Sequence, residues 1–423
     1  MYRISRKTVI WNTLSFLILM GTFATAGLPL WVDLLAAAFF LILAIRVERR
    51  NLALLAGSLL LAMIMCEAIF PMLPDKPEIH YRPHEKYYTR VNYQPNVDVN
   101  FDVPHGDLVA IDFMAPASIR EPRQIRFKTD ALGYRNDSDY QEESIILAGD
   151  SLVVGNGTDQ SETLPNVLRR EHGIETYSVA YTSYPPDYCR RVKEFVENVN
   201  PNVNALLFIF EGNDFIVPKR VPDAPTLYDR VKIRVITFLG LDYPRLIFNV
   251  ARQAGWFLYR PKLEPVEVYR VGAHDVGFYG NYVDAVMAEH PQLCMERKDC
   301  PPEVISRVKG VFFIPAKYRV YFDLLPDRLG RIVEEPAPGF VIVQRFFAAY
   351  KIPVIDLTPA LKKKARELLH GEGRYVYWRD DTHWNGAGIR TAAEEVAKFL
   401  RQRPIVNLTS SLRPKGQFVG AAR

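Results

Sequence analysis

Surplus charge is small in this chain of 423 residues, cysteine is rare, and long apolar runs are scarce outside its first part. The formal net charge of +5 is slight for such a length and gives no warrant for a nucleic-acid partner. Cysteine occurs four times, at Cys66, Cys189, Cys294 and Cys300, and the Cys294/Cys300 spacing fits no standard zinc pattern. His80 and His84 stand at helical spacing, but Pro83 between them argues against the helix that would bring both rings to one metal. No cofactor and no metal is expected.

The apolar sequence lies mostly before Pro74, and residues 1–74 read as a membrane anchor. Arg3, Arg6 and Lys7 precede an apolar stretch from about Thr8 to Ala26; two more run from about Leu28 to Ile45 and from about Leu52 to Phe70. At roughly 18–20 residues, each is long enough as a helix to cross a hydrocarbon core of about 30 Å. Arg46, Arg49 and Arg50 separate the second stretch from the third, whereas Gly27-Leu28-Pro29 carries no charge. The positive-inside rule then keeps the N-terminus and the arginine loop cytoplasmic and puts everything after Pro71 outside. Ala24-Thr25-Ala26 also resembles a signal-peptidase site; cleavage there would leave a two-helix hairpin and the same external domain.

Residues 75–140 are rich in Pro, Tyr, Asn and Asp and read as a linker passing into short strands, with no chemistry assigned to them. Residues 141–403 alternate strand and helix signals. Strands are expected at Ser144 to Ala148, Thr176 to Ala180, Ala205 to Phe210, Gly310 to Ile314 and Val354 to Asp356. Helices are expected at Asp187 to Val199, Lys317 to Leu325, Phe340 to Tyr350, Thr358 to His370 and about Gly386 to Leu400. The fold class is therefore α/β, a parallel sheet with helices on both faces. An insertion of about 215–302 is too long for a plain loop; its first half, Tyr228 to Arg260, reads as amphipathic. Residues 404–423 form a polar tail.

Three stretches carry candidate chemistry. Ser144-Ile145-Ile146-Leu147-Ala148-Gly149-Asp150-Ser151-Leu152 reads as a buried strand, a glycine that lets the backbone turn, and a serine at the carboxyl end of the strand, where open α/β sheets keep their ligand crevice. Gly212-Asn213-Asp214 follows another strand, and Asp380-Asp381-Thr382-His383-Trp384-Asn385 precedes the final helix. A serine hydroxyl needs a base to take its proton, and histidine suits that near neutral pH. A carboxylate fixes the imidazole tautomer, and an asparagine amide can donate to the oxyanion. Each stretch alone is a turn or a cap; together, at strand ends, they suggest acyl chemistry.

In these residues the sequence resembles the GDSL, or SGNH, hydrolases. Gly149-Asp150-Ser151-Leu152 is similar to the family's signature, Gly212-Asn213-Asp214 to its Asn block, and Asp380-Asp381-Thr382-His383 to its C-terminal Asp/His block. Phe127 to Arg135 looks like the lead-in of membrane-anchored bacterial members. The resemblance implies a flavodoxin-like three-layer sandwich with Ser151 as nucleophile, His383 as base and Asn213 in the oxyanion hole. The family's Gly block should fall near Ala180 to Pro185, where no glycine stands and Ser183 is the nearest equivalent. Most members place the Asp three residues before the His, which selects Asp380. Alginate O-acetyltransferase-like members use Asp-x-His, which favours Asp381, and Ile314 to Tyr321 is also similar to those envelope acetyltransferases.

The expected protein is thus a membrane-anchored serine esterase or O-acetyltransferase in a bacterial inner membrane, its C-terminal domain periplasmic. The substrate class implied is an O-acylated carbohydrate of the envelope, with a membrane acyl-donor protein as a possible partner. A lipid or small-ester hydrolase, or a degenerate scaffold in envelope assembly, is the alternative. Cys66 and Cys189 read as packed thiols. Cys294 and Cys300 enclose a short charged loop outside the cytoplasm and are expected to form a disulfide.

Overall fold

The computed structural model describes residues 92–111, 115–215, 266–326 and 331–403, all within one unit made of Pro77–Lys219 and Leu263–Arg423. The three apolar N-terminal segments, the stretch Tyr228 to Arg260 and the polar tail lie outside the described residues. No helix among those described is long and apolar enough to cross a membrane.

In chain order the elements are β1 (Asp98–Val103), α1 (Asp107–Ile111), β2 (Arg123–Lys128), β3 (Ile145–Ala148), α2 (Ser151–Val154), α3 (Leu164–His172), β4 (Thr176–Ser178), α4 (Pro185–Asn198) and β5 (Ala205–Phe210). There follow β6 (Val266–Val271), β7 (His274–Tyr279), α5 (Gly280–Met287), α6 (Pro302–Ile305), β8 (Val308–Ile314), α7 (Lys317–Tyr321), α8 (Pro338–Ala348), β9 (Val354–Asp356), α9 (Thr358–Glu372) and α10 (Gly386–Gln402).

Five parallel strands form the central sheet in the order β4-β3-β5-β8-β9. Numbered within the sheet this is 2-1-3-4-5, the flavodoxin-like order, whose switch point lies between β3 and β5. Side chains alternate across such a strand, so the apolar runs of β3 and β5 feed two cores. Ile145, Leu147, Leu206, Phe208 and Phe210 meet α3, α9 and α10 on one face. Ile146, Ala148, Ala205, Leu207 and Ile209 meet α4 and α8 on the other. Both faces are covered, so both strands can be apolar at every position.

Two antiparallel pairs flank the sheet. β1 and β2 come from the region read as a short-strand extension. β6 and β7 come from the insertion, and Phe278 of β7 packs edge-on to Tyr318 of α7.

The disulfide expectation is corrected. Cys189 of α4 is bonded to Cys300, with 5.2 Å between Cα atoms, and Cys294 is free. Between Cys294 and Cys300 lies a 3-10 turn at Arg297–Asp299, in which Glu296 N–H donates to Asp299 Oδ2 at 2.7 Å. Cys294 N–H is engaged with the Asp214 carbonyl at 2.8 Å. The core on the α4 face brings Cys189 and Cys300 together instead.

Candidate active site

The parallel strands deliver three candidate residues to one edge of the sheet. Ser151 follows β3, Ser183 follows β4, and Asn213 follows β5, flanking the switch point; all three are partly exposed. At Gly149 the reason for glycine is space. A Cβ there would lie 2.6 Å from Val153 Cγ2 and 3.1 Å from Phe208 Cβ, so the turn into α2 packs directly on β5. Asp150 caps that turn by accepting the Leu152 N–H at 3.0 Å. Trp384, fully buried, donates its indole N–H to the Leu152 carbonyl at 3.0 Å and so joins the serine turn to the histidine loop.

His383 reaches back to that serine. Its Nε2 is 2.7 Å from Ser151 Oγ, and its Nδ1 is 2.6 Å from Asp381 Oδ1. Burial opposes a charge on Asp381, but the His383 ring and the Arg123 guanidinium hold its carboxyl well below the usual carboxylate range. An ionised Asp381 can only accept, so the imidazole proton sits on Nδ1 and the Nε2 lone pair faces the serine hydroxyl. The loop is closed on itself: Tyr377 bridges Trp384, and Trp378 N–H donates to the His383 carbonyl at 3.2 Å.

Asp380 is engaged elsewhere. It accepts the N–H groups of Gly106 and Glu121, each at 2.8 Å, and Arg123 Nη1 at 3.0 Å. Burial raises its pKa against the pull of Arg123, and the charge of Asp381 adds to the rise.

Several contributors carry no motif. Arg123 of β2 forks across both aspartates, with Nη2 2.7 Å from Asp381 Oδ2, and lies 4.4 Å from the Trp378 ring centroid. Asp107 of α1 accepts Thr382 N–H at 2.8 Å and Thr382 Oγ1 at 2.5 Å, its Oδ2 3.6 Å from His383 Nδ1. Gly106 beside it must be glycine, because a Cβ would lie 2.4 Å from the Asp380 carbonyl oxygen. Lys317, buried, donates to the carbonyls of Trp378, Arg379 and Asp381 at 2.6, 2.9 and 3.2 Å. Burial brings its pKa down to about 8 against the nearby charges of Asp380, Glu121, Asp381 and Asp107. Lys317 lies within the Ile314 to Tyr321 stretch, whose similarity to envelope acetyltransferases is the one sequence signal that points to it.

Burial pushes the Asp150 carboxyl up to about 6, against the Leu152 N–H, the charge of His383 and a hydrogen bond from the Asn213 side chain. Ser183 Oγ donates to the Tyr181 carbonyl at 3.2 Å, and Tyr181 N–H donates to the Gly149 carbonyl at 3.3 Å, so this loop runs beside the serine turn.

Asp107, Asp381 and His383 offer ligand atoms within 4.8 Å of one another. Thr382, Arg123 and backbone N–H groups already engage the two carboxylates, a pattern that suits an oriented imidazole better than a cation. A serine hydroxyl facing an imidazole backed by a carboxylate can do nucleophilic acyl chemistry.

No curated protein matches the chain. A family match begins beyond Ser151 and Asn213 and takes in β9, the Asp380 to His383 loop and α10. Over residues 310–421 the chain is similar to the SGNH hydrolase-like domain of acetyltransferase AlgX, a likeness that supports an SGNH family with alginate O-acetyltransferase-like features.

Proposed function

We propose that the chain is a serine esterase or O-acetyltransferase acting on O-acyl, chiefly acetyl, groups of envelope carbohydrate. In this reading residues 1–74 anchor it in the membrane and the catalytic domain faces the periplasm. The observation that carries the chemistry is the continuous chain Ser151 Oγ, His383 Nε2, His383 Nδ1 and Asp381 Oδ1, with links of 2.7 and 2.6 Å.

In the mechanism Ser151 Oγ attacks the ester carbonyl while His383 Nε2 takes the hydroxyl proton. Asp381 stabilises the imidazolium without itself taking the proton. Asn213 donates to the oxyanion as the tetrahedral intermediate forms. Collapse breaks the C–O bond, His383 returns its proton to the leaving alkoxide, and an acyl-serine remains. His383 then deprotonates the acceptor, which attacks the acyl-serine. A water acceptor gives hydrolysis and a sugar hydroxyl gives transfer; in both, Ser151 recovers its proton through His383.

The test uses purified full-length protein with an acetyl ester, with and without an oligosaccharide acceptor, following acetate and acetylated sugar separately. Turnover should occur in the wild type and be nearly abolished in Ser151→Ala and in His383→Ala. The double variant should be little worse than either, because residues acting as one unit are not additive. A Ser151→Ala protein with wild-type turnover would remove Ser151 from the reaction.

A further inference from the structure

The Asn213 loop is followed by a buried acid that the mechanism above does not use. Asp214 is fully buried. Its Oδ2 accepts the Phe210 N–H at 2.8 Å, and its Oδ1 lies 2.8 Å from the Tyr188 hydroxyl. The same hydroxyl lies 3.3 Å from the Ser183 carbonyl oxygen. Tyr188, itself buried on α4, therefore stands between two oxygens, one on each loop flanking the serine.

A phenol has one proton to give. A carbonyl oxygen and an ionised carboxylate are both acceptors, so an ionised Asp214 would leave one of these two close contacts without a proton. A neutral Asp214 supplies the missing one: its Oδ1–H donates to Tyr188, and Tyr188 donates to Ser183. The surroundings favour the neutral acid. Among the described residues no lysine or arginine faces Asp214; its titratable neighbours are Asp150, Tyr188 and the Cys294 thiol. Burial and the charge of Asp150 both raise its pKa well above the ordinary carboxylate value. Asp187, one residue before Tyr188, raises the pKa of the Tyr188 hydroxyl and so keeps its proton in place.

We infer that Tyr188 and a neutral Asp214 form a positioning pair that joins the Ser183 loop to the Asn213 loop. The inference deepens the proposed acyl chemistry and rests on it for its kinetic consequence, though not for its proton accounting. The Ser183 loop lacks a glycine from Ala180 to Pro185, and the pair gives that loop a fixed carbonyl. The pair is braced from behind. Cys294 N–H holds the Asp214 carbonyl, and the Cys189–Cys300 disulfide ties the next residue of α4 to the same segment.

The asparagine variant separates the two protonation states. In Asp214→Asn the amide can donate to Tyr188 while its oxygen accepts from Phe210 N–H, reproducing a neutral acid but not a carboxylate. In full-length protein Asp214→Asn should keep kcat within about threefold of wild type. Tyr188→Phe should lower kcat about 10-fold to 100-fold with KM little changed, the scale of a small misplacement near reacting groups. The infrared difference between wild type and Asp214→Asn should contain the carbonyl stretch of a protonated carboxylic acid at about pH 8, where Asp150 is ionised. In Tyr188→Phe that band should shift, which serves if Asp214→Asn does not fold. An absent band, or a folded Asp214→Asn protein as impaired as Tyr188→Phe, would overturn the inference. Wild-type protein without turnover would instead sink the acyl-transfer reading, with the infrared result still deciding the pair.

Discussion

Arg123→Met is the most demanding test of how the histidine loop is held. The substitution keeps much of the side-chain volume and removes the charge. The ion pairs it breaks are buried, with side-chain exposures of 6% for Arg123, 0% for Asp380 and 5% for Asp381. Removing one partner of a buried pair leaves uncompensated charge, at a cost of about 3–5 kcal/mol. Even about 3 kcal/mol would lower the melting temperature of a domain of this size by roughly 6–12 °C. Catalysis should suffer as well, because the Asp381 oxygen not shared with His383 loses its charged donor and keeps only the Asp107 N–H at 3.3 Å.

The pH dependence follows from the sign of the Asp381 shift. Its folded pKa is depressed, so its contribution to stability is complete above the unfolded carboxylate value of about 3.9 and is lost as pH falls through the folded value. Arg123 is one cause of the depression. Without it the folded value rises, the contribution shrinks, and its loss is complete at a higher pH. Thermal melts from acid to neutral pH should therefore show Arg123→Met less stable throughout and its acid-unfolding midpoint displaced upward. Adding Asp380→Asn should recover part of the loss, since one of the two stranded charges is then gone. Unchanged melts and an unchanged acid midpoint in Arg123→Met would refute the clamp.

Asp381→Asn should reduce ester turnover by about 10⁴, the scale seen when a wrong tautomer faces the nucleophile. Asp380→Asn should act mainly on thermal stability; equal kinetic losses would assign the histidine wrongly. Peptide mapping without reduction should recover Cys189 linked to Cys300 and Cys294 as a thiol. Serine in place of Cys189 and Cys300 should cost roughly 4–5 kcal/mol by the loop-closure argument for a separation of 111 residues, while Cys294→Ser should cost little. A reporter active only outside the cytoplasm, fused after Arg423, should be active if three segments cross the membrane, and an inactive but well-expressed fusion would contradict that topology.

Much of the sheet is legible in the chain because its strands are buried on both faces. β3 and β5 need no alternation, and their uninterrupted apolar runs stand out from polar surroundings. The glycine at 149 was legible too, but for another reason than the one its neighbours suggest: it makes room for Val153 and Phe208 rather than permitting an unusual backbone angle. The disulfide misled because nearness in sequence stood in for nearness in space. Cys294 and Cys300 are six positions apart, yet the packing of α4 pairs Cys300 with a residue 111 positions away.

The same limit explains why the support of the histidine loop was invisible. The bonds from Arg123 to Asp381 and from Thr382 to Asp107 join residues 258 and 275 positions apart. Neither Asp107 nor Arg123 sits in a patterned stretch, and a lone carboxylate or guanidinium in a polar region reads as surface. Their burial is what changes their meaning, because a buried charge must be answered by another. Asp380 and Asp381 are adjacent like charges, so their loop requires a cation and several N–H donors from outside itself. Gly106, Asp107, Glu121 and Arg123 supply them, all from the segment that reads as a mere extension. The boundary near residue 140 therefore separates two sequence textures but not two functions. A chain trimmed to residues 141–403 would keep Ser151, His383 and Asp381 while exposing Asp381 to its neighbour's charge without the Arg123 fork, and the carboxylate would lose both donors, Arg123 Nη2 and the Asp107 N–H, that hold the oxygen it does not share with His383.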